Sequence, residues 1–134
     1  MYLLDTNILS ELIKKHPNKV FIERLRKIPG NLLFTSSICV MELRYGSARR
    51  PDHKEFWQRI KKEILSRVNI LVFASTQAVK TGDILVYLYQ KGKPIGLEDI
   101  MIAATALCTN CTVITANVRH FKEIPGLKVE NWLT

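Results

Sequence analysis

The chain has 134 residues, the length of one domain, and that is enough to bury a core without disulfides or structural metals. Its 20 Lys and Arg residues outnumber 12 acids, and the net charge of +8 favours an anionic partner such as nucleic acid or an acidic protein. No apolar run reaches the ~20 residues that span a bilayer, and three cysteines without a secretory signal indicate reduced thiols in a cytoplasm.

The chain opens with a short apolar run followed at once by amphipathic patterns. Residues 2–4 predict a buried strand. Apolar residues at helical spacing predict a helix over 8–13, which ends at the KKHP run. A second helix is predicted over 20–28, where the Pro-Gly pair that follows ends it.

The next segment again pairs a strand with a helix. Residues 32–37 predict a second strand that runs into a helix cap at Ser36 or Ser37. A short helix is predicted over 38–45, closed by Gly46.

The middle of the chain carries the longest helical patterns. After a basic loop, an apolar stripe predicts a helix over about 54–64 with lysines and an arginine on its other face. A third strand is predicted over 69–73 and another helix over about 76–90. A turn then leads to a helix over 97–108 that is apolar nearly all round, which predicts a central position.

The last segment predicts a fourth strand over 112–115, a polar turn over 116–121 and a short strand over 127–132. Short strands therefore alternate with helices, and no hairpin dipeptide occurs between them. This pattern predicts an α/β fold in one domain over 1–134, with a central parallel sheet flanked by helices.

Asp5 follows the first predicted strand directly. Ligands of open parallel sheets bind beyond the carboxyl ends of the strands, which is where Asp5 lies. The alternative interpretation is a helix cap, worth about 0.5–2 kcal/mol. Thr6 and Asn7 could cap the same helix, so one residue of the three is sufficient for that purpose.

Glu42 is the only charge between Ile38 and Leu43. It lies outside the position that a capping box from Ser36 or Ser37 would use. The neighbouring Arg44 points elsewhere on the helix, so no local ion pair explains the acid. A distant Lys or Arg partner is the alternative to a functional role.

Further polar groups occur at two comparable places. Glu98 and Asp99 open the apolar helix, where favourable interaction with the helix dipole is the alternative explanation. Thr115 and Asn117 lie at and just past the end of the fourth strand, where a turn or cap is the alternative.

Convergence of three carboxylates would need a counter-charge. At about 4 Å each pair repels by about 4 kcal/mol at an effective dielectric of 20. Such a cluster must hold a proton or bind a cation, and hard oxygen ligands without His or Cys select Mg²⁺ or Mn²⁺. An ion held this way keeps positions open for water and phosphate oxygens, which is the arrangement that hydrolyses a phosphodiester.

Four motifs in order, LLDTNIL, SSICVMELRYG, KPIGLEDIMIAATA and VITANVRHF, resemble the PIN-domain ribonucleases and, within them, the VapC toxins of toxin–antitoxin pairs. The resemblance covers essentially the whole chain and implies a Mg²⁺- or Mn²⁺-dependent endoribonuclease. It implies an acidic triad of Asp5, Glu42 and Asp99, with Asn7 as a supporting polar residue. Asn117 stands where many relatives carry a fourth acid, and could still orient a water or a ligand.

The resemblance also implies a VapB-like antitoxin that covers the active site, and a homodimer formed through apolar helix surfaces. Water as the nucleophile would leave a 5′-phosphate and a 3′-hydroxyl. The groups predicted to steer RNA are basic and surface-located: Arg49, Arg50, Lys54, Lys91, Lys93, Arg119 and Lys122.

Two rival interpretations are weighed against a metal-dependent nuclease. A metal-free ribonuclease would need two histidines near each other, but His16, His53 and His120 share no face and are predicted to be solvated. A catalytically weak RNA-binding module of the same fold is the other alternative. The predicted acids oppose it, because carboxylates repel phosphate unless a cation intervenes.

Overall fold

A five-stranded, entirely parallel sheet forms the centre of the computed structural model, which describes all 134 residues. Its strands are β1 (Tyr2–Leu4), β2 (Leu33–Ser36), β3 (Asn69–Leu71), β4 (Thr112–Ile114) and β5 (Val129–Glu130). Their order across the sheet is β3-β2-β1-β4-β5. The predicted parallel α/β architecture is therefore confirmed.

Seven α-helices accompany the sheet, and the crossovers between parallel strands run through them. They are α1 (Thr6–Leu9), α2 (Lys19–Arg26), α3 (Ser37–Ala48), α4 (His53–Glu63), α5 (Ser75–Lys91), α6 (Leu97–Thr109) and α7 (Val118–Phe121). Three short 3₁₀ turns occur at Ser10–Ile13, Gly30–Leu32 and Leu65–Arg67. None of these helices combines the length and the apolar character that crossing a bilayer requires.

The two central strands are buried on both faces. Successive residues of a strand point to opposite sides of the sheet. Leu3 and Leu4 of β1 are both fully buried, and so are Val113 and Ile114 of β4. Helices must therefore cover both sides of the sheet, as expected for a parallel sheet. The apolar helix α6 contributes six buried residues, which confirms its predicted central position.

The path of the chain reverses beside β1. From β1 the chain moves to β2 and β3 on one side, and then returns to β4 and β5 on the other. In open α/β sheets this reversal creates a crevice at the carboxyl ends of the strands, where ligands bind. Asp5 follows β1 and Thr115 follows β4, so both residues lie at this crevice.

Several predicted element boundaries are wrong. The strands predicted over 69–73 and 127–132 are shorter in the structure, Asn69–Leu71 and Val129–Glu130. The predicted helix over 8–13 is an α-helical turn, α1, followed by a 3₁₀ turn. Helix α3 continues through Gly46 to Ala48, because this glycine has no left-handed backbone and the buried Ser47 hydroxyl donates to the Arg44 carbonyl at 3.0 Å. The predicted polar turn contains α7, which packs the fully buried Phe121 into the core.

Candidate active site

Asp5 is held in place from three directions. It caps α1, where its Oδ1 accepts a hydrogen bond from the Thr6 amide at 2.8 Å. Its Oδ2 accepts one from the Thr115 hydroxyl at 2.8 Å and one from the Asn7 side-chain amide at 3.3 Å. The residue is only 4% exposed. Asp5 is therefore both a helix cap and a fixed carboxylate at the crevice, so the two interpretations of its role are compatible.

Thr115 and Asn7 support this carboxylate from the neighbouring strand end and from α1. Thr115 is fully buried, and its hydroxyl oxygen also accepts the Asn117 amide at 3.0 Å. The side-chain oxygen of Asn7, Oδ1, accepts a hydrogen bond from the Ala116 amide at 3.0 Å. These contacts bring Asn7 and Thr115 together with Asp5. Asn117 contributes through its backbone, and its side chain makes no hydrogen bond.

Glu42 reaches the same crevice from α3. The Thr6 hydroxyl donates to its Oε1 at 2.7 Å, a contact that was not predicted. No Lys or Arg lies within 4.0 Å of Glu42, so the alternative of a distant cationic partner is wrong. The one signal that could have identified Thr6 is its position among three consecutive cap-forming residues.

Burial and mutual repulsion both act on these acids. Burial raises the pKa of Asp5, hydrogen bonds from Thr115 and Thr6 oppose the rise, and the charge of Asp99 adds to it. Burial also raises the pKa of Glu42; the Thr6 hydrogen bond opposes this, whereas the nearby acids reinforce it. Two such carboxylates without a cation among their neighbours favour either a shared proton or a bound positive ion.

Asp99 lies in the first turn of α6, close enough for its charge to act on both other acids. Its Oδ2 is 2.8 Å from Nδ1 of His120 on α7. His120 is exposed, as predicted, but its ring also contacts an acid of the site, which was not predicted. The His-Phe pair after the fourth strand is the only sequence signal for this contact.

The most compact set of potential metal ligands consists of Asp5, Glu42 and Cys39, whose ligand atoms lie within 4.8 Å of one another. Asp99 is not in that set. The Cys39 thiol is fully buried and lies 4.0 Å from Asp5 Oδ1. Burial raises its pKa, so Cys39 packs beside Asp5 as an uncharged thiol. The charged donors at the crevice are carboxylate oxygens, which fit a hard divalent ion.

The raised pKa values predict how the metal-free protein responds to pH. A carboxyl group whose pKa is raised by folding stabilises the fold at low pH, and this contribution is lost as pH rises through the folded pKa. Asn does not titrate, so Asp5→Asn lacks this pH-dependent loss. We therefore expect its free energy of unfolding to increase relative to that of the parent as pH rises from about 4 to about 7. Urea unfolding in EDTA measures it.

The control for this experiment is Asp52→Asn. Asp52 is exposed, and the adjacent Arg50 lowers its pKa, so its replacement should give no such gain with rising pH. If the difference in stability between the parent and Asp5→Asn does not change with pH, burial and repulsion do not raise the pKa of Asp5. Adding Mg²⁺ should raise the stability of the parent more than that of Asp5→Asn.

Comparison with known proteins gives a consistent result. The PIN domain family model matches residues 2–127. A protein named ribonuclease VapC2 from Rickettsia felis is 38% identical over 135 residues, with 98% of each chain covered. The tRNA(fMet)-specific endonuclease VapC of Salmonella typhimurium is 35% identical, covering 98% of this chain and 97% of its own.

Solved structures agree with these sequence relationships. The crystal structure of VapBC2 from Rickettsia felis bound to a DNA fragment from their promoter contains a chain that superposes with a TM-score of 0.86. That chain is 36% identical, and the match covers 98% of both chains. The likeness in sequence and the likeness in fold therefore extend over the same nearly full length.

Proposed function

Since this chain belongs to the PIN-domain family, among its VapC ribonucleases, we propose that it is a divalent-metal-dependent endoribonuclease that acts as the toxin of a toxin–antitoxin pair. The observation that carries the metal dependence is the pair formed by the buried Asp5 and the half-buried Glu42, neither of which has a cationic partner. The names of the relatives support the nuclease activity.

We assign Asp5, Glu42 and Asp99 to hold Mg²⁺ or Mn²⁺, either directly or through water. When bound, the ion would polarise the scissile phosphate and activate a water for in-line attack. The donor set supports this assignment, because carboxylate oxygens suit hard cations and the neighbouring thiol is neutral. Water as the nucleophile would leave a 5′-phosphate and a 3′-hydroxyl, and the 2′-hydroxyl would take no part in the reaction.

The other residues orient these three acids. Thr115, Asn7 and the Thr6 amide fix the Asp5 carboxylate, and the Thr6 hydroxyl fixes Glu42. His120 holds one oxygen of Asp99. Each acid therefore has at least one partner that restricts its rotation before substrate arrives, so less ordering is left for the reaction itself. Outer contacts of this kind are worth about 10- to 100-fold in metal affinity or activity.

A VapB-like antitoxin is the proposed protein partner, supported by the similarity to the toxin chain of a VapBC structure. Homodimerisation stays a prediction. The most exposed apolar residues of α5, Val79, Val86 and Tyr89, are candidates for such an interface because they lie on one helix and are more than half exposed.

The decisive experiment incubates the purified chain with folded RNAs and with single-stranded DNA, in Mg²⁺ and in EDTA. We expect RNA cleavage in Mg²⁺, none in EDTA, and recovery when Mg²⁺ is restored. End analysis should find 5′-phosphate on the downstream product. RNA binding that is indifferent to both reagents, without cleavage, would favour the weak RNA-binding module and contradict the enzyme.

A further inference from the structure

A small polar cavity lies next to the acids, between the loop that joins α5 to α6 and the short helix α7. Its volume is about 300 Å³. One wall is the loop segment 92–96, and the other wall is formed by Arg119, His120 and Glu123. Only one of its lining residues is hydrophobic, so the cavity is suited to a polar or charged ligand.

This cavity adjoins the proposed active site, and the two share one side chain. His120 lines the cavity and also contacts Asp99 at 2.8 Å. Gly96, on the opposite wall, immediately precedes α6, the helix whose first turn carries Asp99. A ligand in the cavity would therefore be separated from Asp99, one of the three acids that we assign to the reaction, by the His120 ring.

The cavity has an excess of unpaired positive charge. Lys93 and Arg119 are both exposed, and neither is within 4.0 Å of a carboxylate. Arg50, also predicted to steer RNA, differs because it is paired with Asp52 at 2.7 Å. Glu123 lines the same cavity without forming an ion pair, and it reduces the positive charge there.

Both walls are held by local backbone structure. Gly92 ends α5 in the left-handed conformation, with φ of 64°, and the Lys93 amide donates to the Leu88 carbonyl at 3.0 Å. These contacts fix the start of the loop. On the other wall, the fully buried Phe121 anchors α7 between Arg119 and Glu123. The two cationic side chains therefore project from fixed backbone positions.

We propose that this cavity is a substrate subsite that binds a backbone phosphate of the RNA next to the scissile one, through Lys93 and Arg119. The inference rests on the proposed nuclease function. A phosphate fits because it needs cationic donors, and the charges of Lys93 and Arg119 offset its repulsion by the neighbouring acids. An acidic segment of a protein partner has similar chemistry, but the shared His120 contact with Asp99 favours the substrate.

The test measures RNA binding apart from cleavage. All proteins carry Asp5→Asn, and fluorescence anisotropy follows their binding to a synthetic RNA stem-loop. A series of these stem-loops each has one phosphate replaced by a neutral methylphosphonate. We expect neutralisation of one particular linkage to lower the affinity about tenfold. This penalty should disappear in Arg119→Ala or Lys93→Ala.

Two further variants test whether charge in the cavity controls the affinity and whether the effect is specific to the cavity. Glu123→Gln should strengthen binding, and the gain should be lost when the sensitive linkage is neutral. Lys61→Ala removes an exposed lysine of α4 that does not line the cavity. It should leave the penalty at that linkage unchanged. Arg119→Ala and Lys93→Ala should each also lower the salt dependence of log affinity by about one.

Equal penalties at every linkage, or failure of the stem-loop to bind the Asp5→Asn parent, would overturn the subsite. Loss of antitoxin binding in Arg119→Ala with unchanged RNA penalties would assign the cavity to the protein partner and would also overturn it. A wild-type chain that cleaves RNA in Mg²⁺ while its variants show no sensitive linkage refutes the subsite alone. A sensitive linkage without cleavage refutes only the nuclease proposal.

Discussion

Replacing Asp5 with Asn is expected to lower the rate of RNA cleavage by about 10³-fold or more and to leave the fold intact. The amide has nearly the shape of the carboxylate, and its oxygen can still accept from Thr115 or from the Thr6 amide. What is lost is the charge that would hold a divalent ion. The measurement is the single-turnover cleavage rate in Mg²⁺, with circular dichroism to verify the fold.

Asp52→Asn is the matched control for this prediction. It makes the same substitution at an exposed acid that pairs with Arg50, away from the crevice. Its cleavage rate should equal that of the parent. Asp5→Asn protein that is folded and retains full activity would contradict the assignment of Asp5 to the metal, whatever the behaviour of the other acids.

Replacing Thr115 with Val is expected to reduce cleavage by about 10- to 100-fold at limiting Mg²⁺. The substitution keeps the shape of the side chain but removes the hydroxyl that donates to Asp5 Oδ2 and accepts the Asn117 amide. Because Thr115 is fully buried, removing its hydrogen bonds to Asp5 and to the Asn117 amide should also lower the free energy of unfolding by about 1–3 kcal/mol.

Two comparisons make this prediction specific. Thr112→Val changes the same residue type at the first residue of β4, the strand that Thr115 follows; the Thr112 hydroxyl makes no hydrogen bond, so this change should be close to neutral. Raising the Mg²⁺ concentration should recover part of the activity of Thr115→Val and none of that of Asp5→Asn. An equal loss in both threonine variants would show that packing in β4, rather than the Asp5 contact, is responsible.

The location of the site could be predicted because parallel strands end at a common edge. Asp5 and Thr115 are recognisable as residues that follow buried runs, and the structure places them in direct contact. Glu42 is recognisable as an isolated charge on an apolar helix turn. These inferences depend only on strand direction and helical spacing, which short-range patterns determine.

The contacts that hold the acids depend on details that such patterns do not determine. The His120 contact with Asp99 requires the four-residue helix α7, whose position is fixed by the burial of Phe121. The Thr6 contact with Glu42 requires the relative placement of α1 and α3. Both are consequences of tertiary packing, in which the angle between two elements decides which side chains meet.

The hydrogen bond between Thr115 and Asp5 joins positions separated by 110 residues. During synthesis on a ribosome, the first acid emerges long before the strand that must lie beside it. A nascent chain therefore has no assembled site until translation has passed residue 115 and β4 has inserted next to β1. A chain that ends before β4 would therefore lack the residue that holds the Asp5 carboxylate in place.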